Sequence, residues 1–447
     1  MSFPAYDQYK ESGVAWLGDV PGHWEVSALK RHLNIVGGST PKSDVDAYWE
    51  GDVLWITPAD LSRLSDFYIT EALRCITEAG VASCGTTMVP AGSVVLSTRA
   101  PIGSLGIAAV ELCTNQGCKA LVPLDVGSKF LAYVLSICST ELNVRGRGST
   151  FLELSGDELG AFQIAFPPLA EQTAIAAFLD RETAKIDALV AEQERLIALL
   201  KEKRQAVISH AVTKGLNPDA PMKDSGIEWL GQIPAHWELL PLTRVVAKFV
   251  DYRGATPNKV DDGVPLITAT QIKHGRIDHS LDPVFISEEE YATRMTRGFP
   301  ELGDLLLTTE APLGECALIE DERVAPGQRI ILMKMKPALM SSRYLHAHFR
   351  SQFGQAELWT RASGSTASGI RADRLRASNV LVPPLDEQGA IVDHIREVTS
   401  SYDQLFLEAQ SAITLLQERR AALISAAVTG KIDVRGAVVD LPELESA

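Results

Sequence analysis

Two stretches of this chain carry apolar residues at helical spacing with no proline and almost no glycine. Each follows a Pro-Pro pair, as proline does at a helix start. The first, just after Pro168, is predicted to reach Thr213 and to stop at Lys214-Gly215-Leu216-Asn217-Pro218; the second, just after Pro384, reaches Thr429 and stops at Gly430. About 44 residues rising 1.5 Å each make a rod of roughly 65 Å. Seven-residue spacing appears through Leu179, Ile186, Leu189, Leu196, Leu200 and Val207, and again through Ile395, Val398, Tyr402, Leu405, Leu416 and Leu423. That spacing predicts two rods pairing as a coiled coil. The polar exceptions Gln193, Lys203 and Arg419 are expected to fix register. A further apolar row (Val190, Ile197, Leu199, Phe406, Ile413, Leu415) widens each rod. We expect that face to receive helices from another subunit, with burial against the chain's own globular parts as the alternative.

Outside the rods the pattern changes. Short β-rich runs such as Val94-Val95-Leu96-Ser97-Thr98, Gly106-Ile107-Ala108-Ala109-Val110 and Ile330-Ile331-Leu332-Met333 alternate with glycine and proline turns. Residues 1–168 and 215–384 therefore read as two mixed α/β domains, followed by helices at 169–214 and 385–433 and a tail at 434–447.

The two halves repeat one another. Ser12-Gly13-Val14-Ala15-Trp16-Leu17-Gly18-Asp19-Val20-Pro21-Gly22-His23-Trp24-Glu25 returns as Ser225-Gly226-Ile227-Glu228-Trp229-Leu230-Gly231-Gln232-Ile233-Pro234-Ala235-His236-Trp237-Glu238. Thr40-Pro41 returns as Thr256-Pro257, and Thr98-Arg99-Ala100-Pro101 as Thr309-Glu310-Ala311-Pro312. Pro167-Pro168-Leu169-Ala170-Glu171-Gln172 returns as Pro383-Pro384-Leu385-Asp386-Glu387-Gln388. The blocks keep their order from end to end, which marks a duplicated module.

Catalytic motifs are approached but not completed. Gly80-Val81-Ala82-Ser83-Cys84-Gly85-Thr86-Thr87 has P-loop glycine spacing, yet Thr86 stands where the phosphate-binding lysine belongs. Phe166-Pro167-Pro168-Leu169 superficially resembles the Asn/Asp-Pro-Pro-aromatic motif of amino-group methyltransferases. Phe166 and Val382, the counterpart, cannot accept hydrogen bonds from a target amine. Gly146-Arg147-Gly148 lacks a strand–loop–helix setting, and Pro218-Asp219 is followed by no nuclease Asp/Glu-x-Lys. Six scattered cysteines form neither a zinc site nor a disulfide framework. His346-x-His348 has no third ligand nearby. Apolar residues at 46% and charged residues at 22% suit a globular protein with ample core. No span suits a bilayer and no signal peptide opens the chain, so a cytoplasmic location is expected.

The motifs Ser-Gly-x-x-Trp-Leu-Gly-x-x-Pro-x-His-Trp-Glu, the Thr-Pro step and Pro-Pro-Leu-x-Glu-Gln, each present twice, resemble the specificity subunit of type I restriction–modification systems. The resemblance implies two target-recognition domains, each reading half of a split double-stranded DNA site, with antiparallel helices as a ruler between them. It implies a subunit without catalysis of its own. The partners would be two modification subunits using S-adenosylmethionine, and restriction subunits using ATP and Mg2+. A related modification-only or two-sided cutting system, or a structural adaptor that only holds partner subunits, fits the same features.

A formal net charge of −15 runs against a lone DNA binder, because phosphate contacts favour basic surfaces. Residues 1–168 hold 11 Lys+Arg against 18 Asp+Glu. We therefore expect modification subunits to supply much of the phosphate contact. Base readout calls for cations, amides and hydroxyls on loops. The first domain offers Thr40, Lys42, Thr57, Arg99, Lys119, Arg145, Arg147, Ser149 and Thr150. The second offers Thr256, Lys259, Thr268, Gln271, Lys273, Arg361, Ser365, Thr366, Arg371 and Arg374. Positions that match between repeats are expected to be scaffold or phosphate contacts; positions that differ, such as Arg99 against Glu310, are expected to touch bases. The repeated tryptophans Trp16, Trp24, Trp229 and Trp237 are expected to pack rather than stack on bases.

Overall fold

The computed structural model describes residues 3–99, 101–147, 152–253, 256–321, 323–363 and 369–438. The chain divides into two compact units. One holds residues 1–193 and 412–447, the other residues 194–411.

The first unit is organised by strands β1 (Leu33–Gly37), β2 (Val94–Thr98), β3 (Ile102–Ala108) and β4 (Cys118–Pro123). They stand in the order β1-β4-β2-β3, all neighbours antiparallel, with the short strand Tyr68–Ile69 at the β3 edge. The unbroken run in β2 is buried at every position, as expected of a strand covered on both faces. Successive side chains take opposite faces. Val94 and Leu96 join Phe130, Leu131 and Phe178 in one core, while Val95 joins Ile56, Leu61 and Ile69 in another. Helix α1 (Leu169–Lys214) enters the first core through Ile175, Phe178 and Leu179. The end of helix α2 (Leu385–Val428) completes it with Ile424, Ala427 and Val428.

The second unit repeats this plan with β5 (Val246–Asp251), β6 (Leu305–Thr309), β7 (Leu313–Leu318) and β8 (Ile330–Met335), in the order β5-β8-β6-β7. Its core takes Ile208 and Val212 from the end of α1 and Ile391 and Ile395 from the start of α2.

The first helix spans the expected 169–214; the second starts at the expected 385 and ends at Val428, a residue before the Thr429 stop and five short of the 433 bound. Gly215 and Gly430 follow their ends, each at φ +74°. A side chain at Gly430 would put Cβ 2.3 Å from Cδ of Pro21, so both conformation and space require glycine.

Within each unit α1 and α2 run antiparallel. Arg420 Nε donates to Asp187 Oδ1 at 2.8 Å in the first. Arg204 lies 2.8 Å from Asp403, and Lys201 Nζ sits 5.4 Å from the Phe406 ring, in the second. The register residues are thus Arg204 and Arg420, not their exposed neighbours Lys203 and Arg419. The seven-residue rows are unevenly covered. Leu179, Ile186, Leu200 and Ile395 are buried, whereas Leu189, Leu196 and Leu405 are exposed. Val207, Val398, Tyr402, Leu416 and Leu423 are half-buried. Of the additional row, Ile413 is buried and Leu199 and Leu415 are exposed. Burial in the unit cores is confined to the helix ends, at Ile175–Leu179 and Ile208–Val212 of α1 and at Ile391–Ile395 and Ile424–Val428 of α2.

Among the described residues no helix is long and apolar enough to cross a membrane. Nor do they contain a group of three or more His, Cys, Asp or Glu able to hold a metal.

Candidate nucleic-acid interface

The two signature motifs of each repeat are one structure. Strand Glu25–Ala28 pairs antiparallel with Gln163–Phe166, setting Glu25 opposite Phe166 and bringing His23-Trp24 to the start of α1. There Glu171 accepts from Trp24 Nε1 at 3.0 Å and from the Tyr6 hydroxyl at 2.6 Å, and its other oxygen meets His23 Nε2 at 2.8 Å. Burial, and then the bond to this carboxylate, push the Tyr6 hydroxyl far above its ordinary range. A carboxylate in a helix's first turn also suits the helix dipole. In the second unit Glu387 meets His236 Nε2 at 2.7 Å and Trp237 Nε1 at 3.0 Å.

The glutamines one position on do a different task. Gln172 accepts from the Gly127 backbone N–H at 2.8 Å and donates to the Pro167 carbonyl at 2.9 Å. Gln388 accepts from Ser341 N–H at 2.8 Å and donates to the Leu339 and Pro383 carbonyls at 2.9 Å. Each ties the helix Ser128–Ser136 or Ser342–Arg350 to a rod, fixing the sheet that lies on it.

Strand register then decides which candidates meet. In the first sheet Lys119 lies opposite Gly37, Cys118 opposite Ser97 and Thr98 opposite Ile102. The end of β1, the start of β4 and the β2–β3 turn therefore share one end of the sheet. Thr40 donates to the Gln116 side-chain oxygen there. Arg99 pairs with Glu153 at 2.8 Å, and Arg99 and Arg147 flank Glu153 through backbone bridges. Arg147 also pairs with Glu158 at 2.6 Å, the carboxyl that Arg145 approaches at 4.0 Å. Thr57 joins this end because the Asn115 N–H donates to the Ile56 carbonyl at 2.9 Å. Lys42 contributes a carbonyl to Trp49 Nε1 at 3.1 Å, while its side chain is exposed. Ser149 and Thr150 lie outside the described residues.

The equivalent end of the second sheet gathers Thr256, Gln328, Arg329 and Glu310. Gln328 Nε2 donates to Thr256 Oγ1 at 3.3 Å, the counterpart of Thr40 with Gln116. Arg329 Nε lies 3.0 Å from Glu310 Oε1. Glu310 and Ser363 flank Gly369 as Arg99 and Arg147 flank Glu153. Arg253, at the end of β5, is held by Asp251, and Arg297 caps the carbonyls of both. Lys259 lies on a short strand paired with Phe285–Ile286. Lys273 lies on the hairpin Ile272–Lys273/Arg276–Ile277, whose Arg276 is 3.9 Å from Asp403 on α2. Arg361 pairs with Glu357 at 3.2 Å and its carbonyl accepts from Arg374; Arg371 pairs with Asp373 at 3.3 Å. Ser365 and Thr366 lie outside the described residues.

Three candidates also hold turns. Gln271 is buried, its side chain accepting from Thr268 N–H at 2.8 Å and donating to the Leu281 carbonyl at 2.9 Å. It closes a capping box with Thr268, as Asp60 does with Thr57. Of these, Gln271 is buried away from any ligand, whereas Thr57 and Thr268 are half-buried. Conversely, Gln116, Gln328, Arg329 and Arg253 stand at the sheet ends and were not among the candidates. The signal for the first two was a glutamine recurring just before β4 and β8, in a block too diverged to align by eye.

The remaining motifs are structural. Gly80 lies in the short helix Glu78–Ser83, its N–H bound by the Thr77 hydroxyl, so no anion loop forms. Phe166 is a buried strand end. Trp24 and Trp237 are fully buried; Trp16 stacks on Phe162 at 5.6 Å, and Trp229, though half exposed, leans on Phe353 at 5.4 Å. Burial pushes His348 down to about 3 and His346 to about 4, the latter helped by Arg350.

Two mixed α/β modules, each closed on an antiparallel pair of helix segments and each presenting a polar sheet end, define a tandem-module protein. A family model described as the type I restriction modification DNA specificity domain matches residues 21–197. The type I restriction enzyme MjaIX specificity subunit of Methanocaldococcus jannaschii is 39% identical over 175 residues, covering 38% of this chain and 40% of that relative. The EcoKI specificity subunit of Escherichia coli K12 is 23% identical over 435 residues, covering 93% and 90%. In fold the chain resembles a subunit from a structure of type I R-M system assembly and conformational transition, with a TM-score of 0.69 at 14% identity, covering 92% and 98%. It also resembles the HsdS subunit of Thermoanaerobacter tengcongensis, with a TM-score of 0.51 at 15% identity and the same coverages. Residues 21–197 thus match a type I restriction modification DNA specificity domain, and the relatives that the chain resembles over most of its length are named specificity subunits of type I restriction enzymes.

Proposed function

We propose that residues 1–168 and 215–384 are two target-recognition domains, each reading half of a bipartite double-stranded DNA site. Through that reading the chain directs two modification subunits, and restriction subunits where present, to the site. Methyl transfer and ATP-driven cleavage then belong to the partners.

The observation that carries this reading is the repeated sheet end. In both units a Thr–Gln pair sits in the same place, while the charged residues beside it differ. A shared hydroxyl–amide pair suits contact with backbone common to any DNA, and charged groups carried on different backbone positions suit different target sequences. Two similar readers addressing two half-sites follow the logic of dimeric readers. The MjaIX relative matches over only 40% of its length, and the longer matches share the specificity-subunit name.

Exchanging residues 1–168 for those of another family member tests it. The methylated motif is expected to change in one half only. A change in both halves, or in neither, would contradict separate readers; a stable complex without any motif would support a purely structural adaptor.

A further inference from the structure

We propose that the Arg99–Glu153 and Arg329–Glu310 pairs are the guanine-reading devices of the two half-sites. This rests on the DNA-reading role proposed above.

The two pairs occupy one node of the duplicated fold. Thr98 donates both its N–H and its hydroxyl to the Gly117 carbonyl, at 2.8 and 3.2 Å. Thr309 does the same to the Arg329 carbonyl, at 2.8 and 3.1 Å. Residue 99 is thereby equivalent to 310, and 117 to 329; the flanking bridges add 153 to 369. At this node one copy has Arg99, Gly117 and Glu153, and the other has Glu310, Arg329 and Gly369. Each keeps one arginine and one glutamate, but they spring from different backbone positions.

Stability gives little reason for that. All four side chains are between 42% and 56% exposed, and such pairs contribute roughly 0–1 kcal/mol. Recognition gives a better one. A carboxylate that engages one side of a guanidinium fixes its plane and leaves donors on the other side aimed outward. Arg329 meets Glu310 through an ion pair at its Nε side, 3.0 Å from Oε1, with both terminal NH2 groups on the far side; Arg99 donates from Nη2 to Glu153, leaving Nη1. Guanine O6 and N7 accept such a planar donor set side by side in the major groove. The arginine leaves from the β2–β3 turn in one unit and from the residue just ahead of the neighbouring strand β8 in the other. Neighbouring strands lie about 4.8 Å apart, so the guanines occupy non-equivalent places in the two halves.

The test uses the complex of the full chain with its modification subunits, methylating a library of duplexes randomised across both half-sites. Wild type is expected to require guanine at one position or more in each half. Arg99→Ala is expected to cut guanine preference roughly 5- to 150-fold at one position of one half, and Arg329→Ala to do so in the other. The untouched half reports that each variant is folded. Glu153→Gln, keeping the arginine, is expected to weaken the same position as Arg99→Ala. Unchanged motifs in both arginine variants, beside a selective wild type, overturn the guanine assignment while leaving DNA reading intact. A wild type that selects no motif overturns both.

Discussion

Trp24 donates its indole N–H to Glu171 at 3.0 Å across 147 residues of sequence, and Trp237 does the same to Glu387 across 150. The carboxylate thus joins the opening motif of each module to the helix that closes it. Glu171 serves a further donor, Tyr6, and is only 6% exposed, against 23% for Glu387. Buried donors left unpaired cost about 1–3 kcal/mol each. Glu171→Ala should therefore destabilise the first unit by about 3 kcal/mol, and Glu387→Ala the second by less. Denaturant unfolding followed through tryptophan fluorescence checks the order; equal losses would contradict it.

Acid should unfold the second unit before the first. His348 is fully buried among Tyr344, Phe349 and Phe353, where the first unit has Val134. Burial lowers its folded pKa to about 3 from the ordinary 6.5. The neutral ring is favoured in the folded state and the unfolded chain takes up the proton first, so stability is full above about pH 6.5 and falls towards pH 3. The loss approaches roughly 4 kcal/mol at the low end. His346, lowered to about 4, adds in the same direction. His348→Val is expected to flatten this dependence in melts between pH 7 and 4; an unchanged slope would remove His348 as its source.

The helices should prove unevenly sensitive. Leu179→Ala, in the first unit's core, is expected to cost 2–5 kcal/mol. Leu189→Ala, in the same seven-residue row but 48% exposed, should change the isolated chain by roughly 0.5 kcal/mol or less. Breaking the exposed Arg420–Asp187 pair should cost at most about 1 kcal/mol. Equilibrium unfolding of the variants compares them, and equal effects at Leu179 and Leu189 would restore a uniform seam.

These contrasts mark what sequence could disclose. Repeat order and helical periodicity announced two modules and two long helices, because those signals are local and summed over many residues. The seven-residue row could not say which leucines are covered, since Leu179 and Leu189 differ only in what packs on them. His23-Trp24 and Glu171 were visible as motifs, yet their joining depends on strand pairing between Glu25–Ala28 and Gln163–Phe166. Thr268-x-x-Gln271 was legible as a capping box, which would have withdrawn Gln271 from the readers. Arg329 escaped notice because its role shows only when the two sheets are compared strand by strand.

Salt should separate the chain from its complex. The net charge of −15 opposes phosphate binding, and each phosphate neutralised steepens the salt dependence by about one unit. DNA binding by the isolated chain is expected to show a shallower log–log slope than the complex with modification subunits. Equal slopes in fluorescence anisotropy would assign the phosphate contacts to this chain.

The central claim is that this chain supplies the sequence information for a split target. Single-molecule methylome sequencing of cells expressing it with its cognate modification subunit, against cells lacking this chain, tests that most directly. The account predicts a new chain-dependent motif in two halves separated by a fixed spacer, with methylated adenine in both. A stable complex that leaves the methylome unchanged would contradict it.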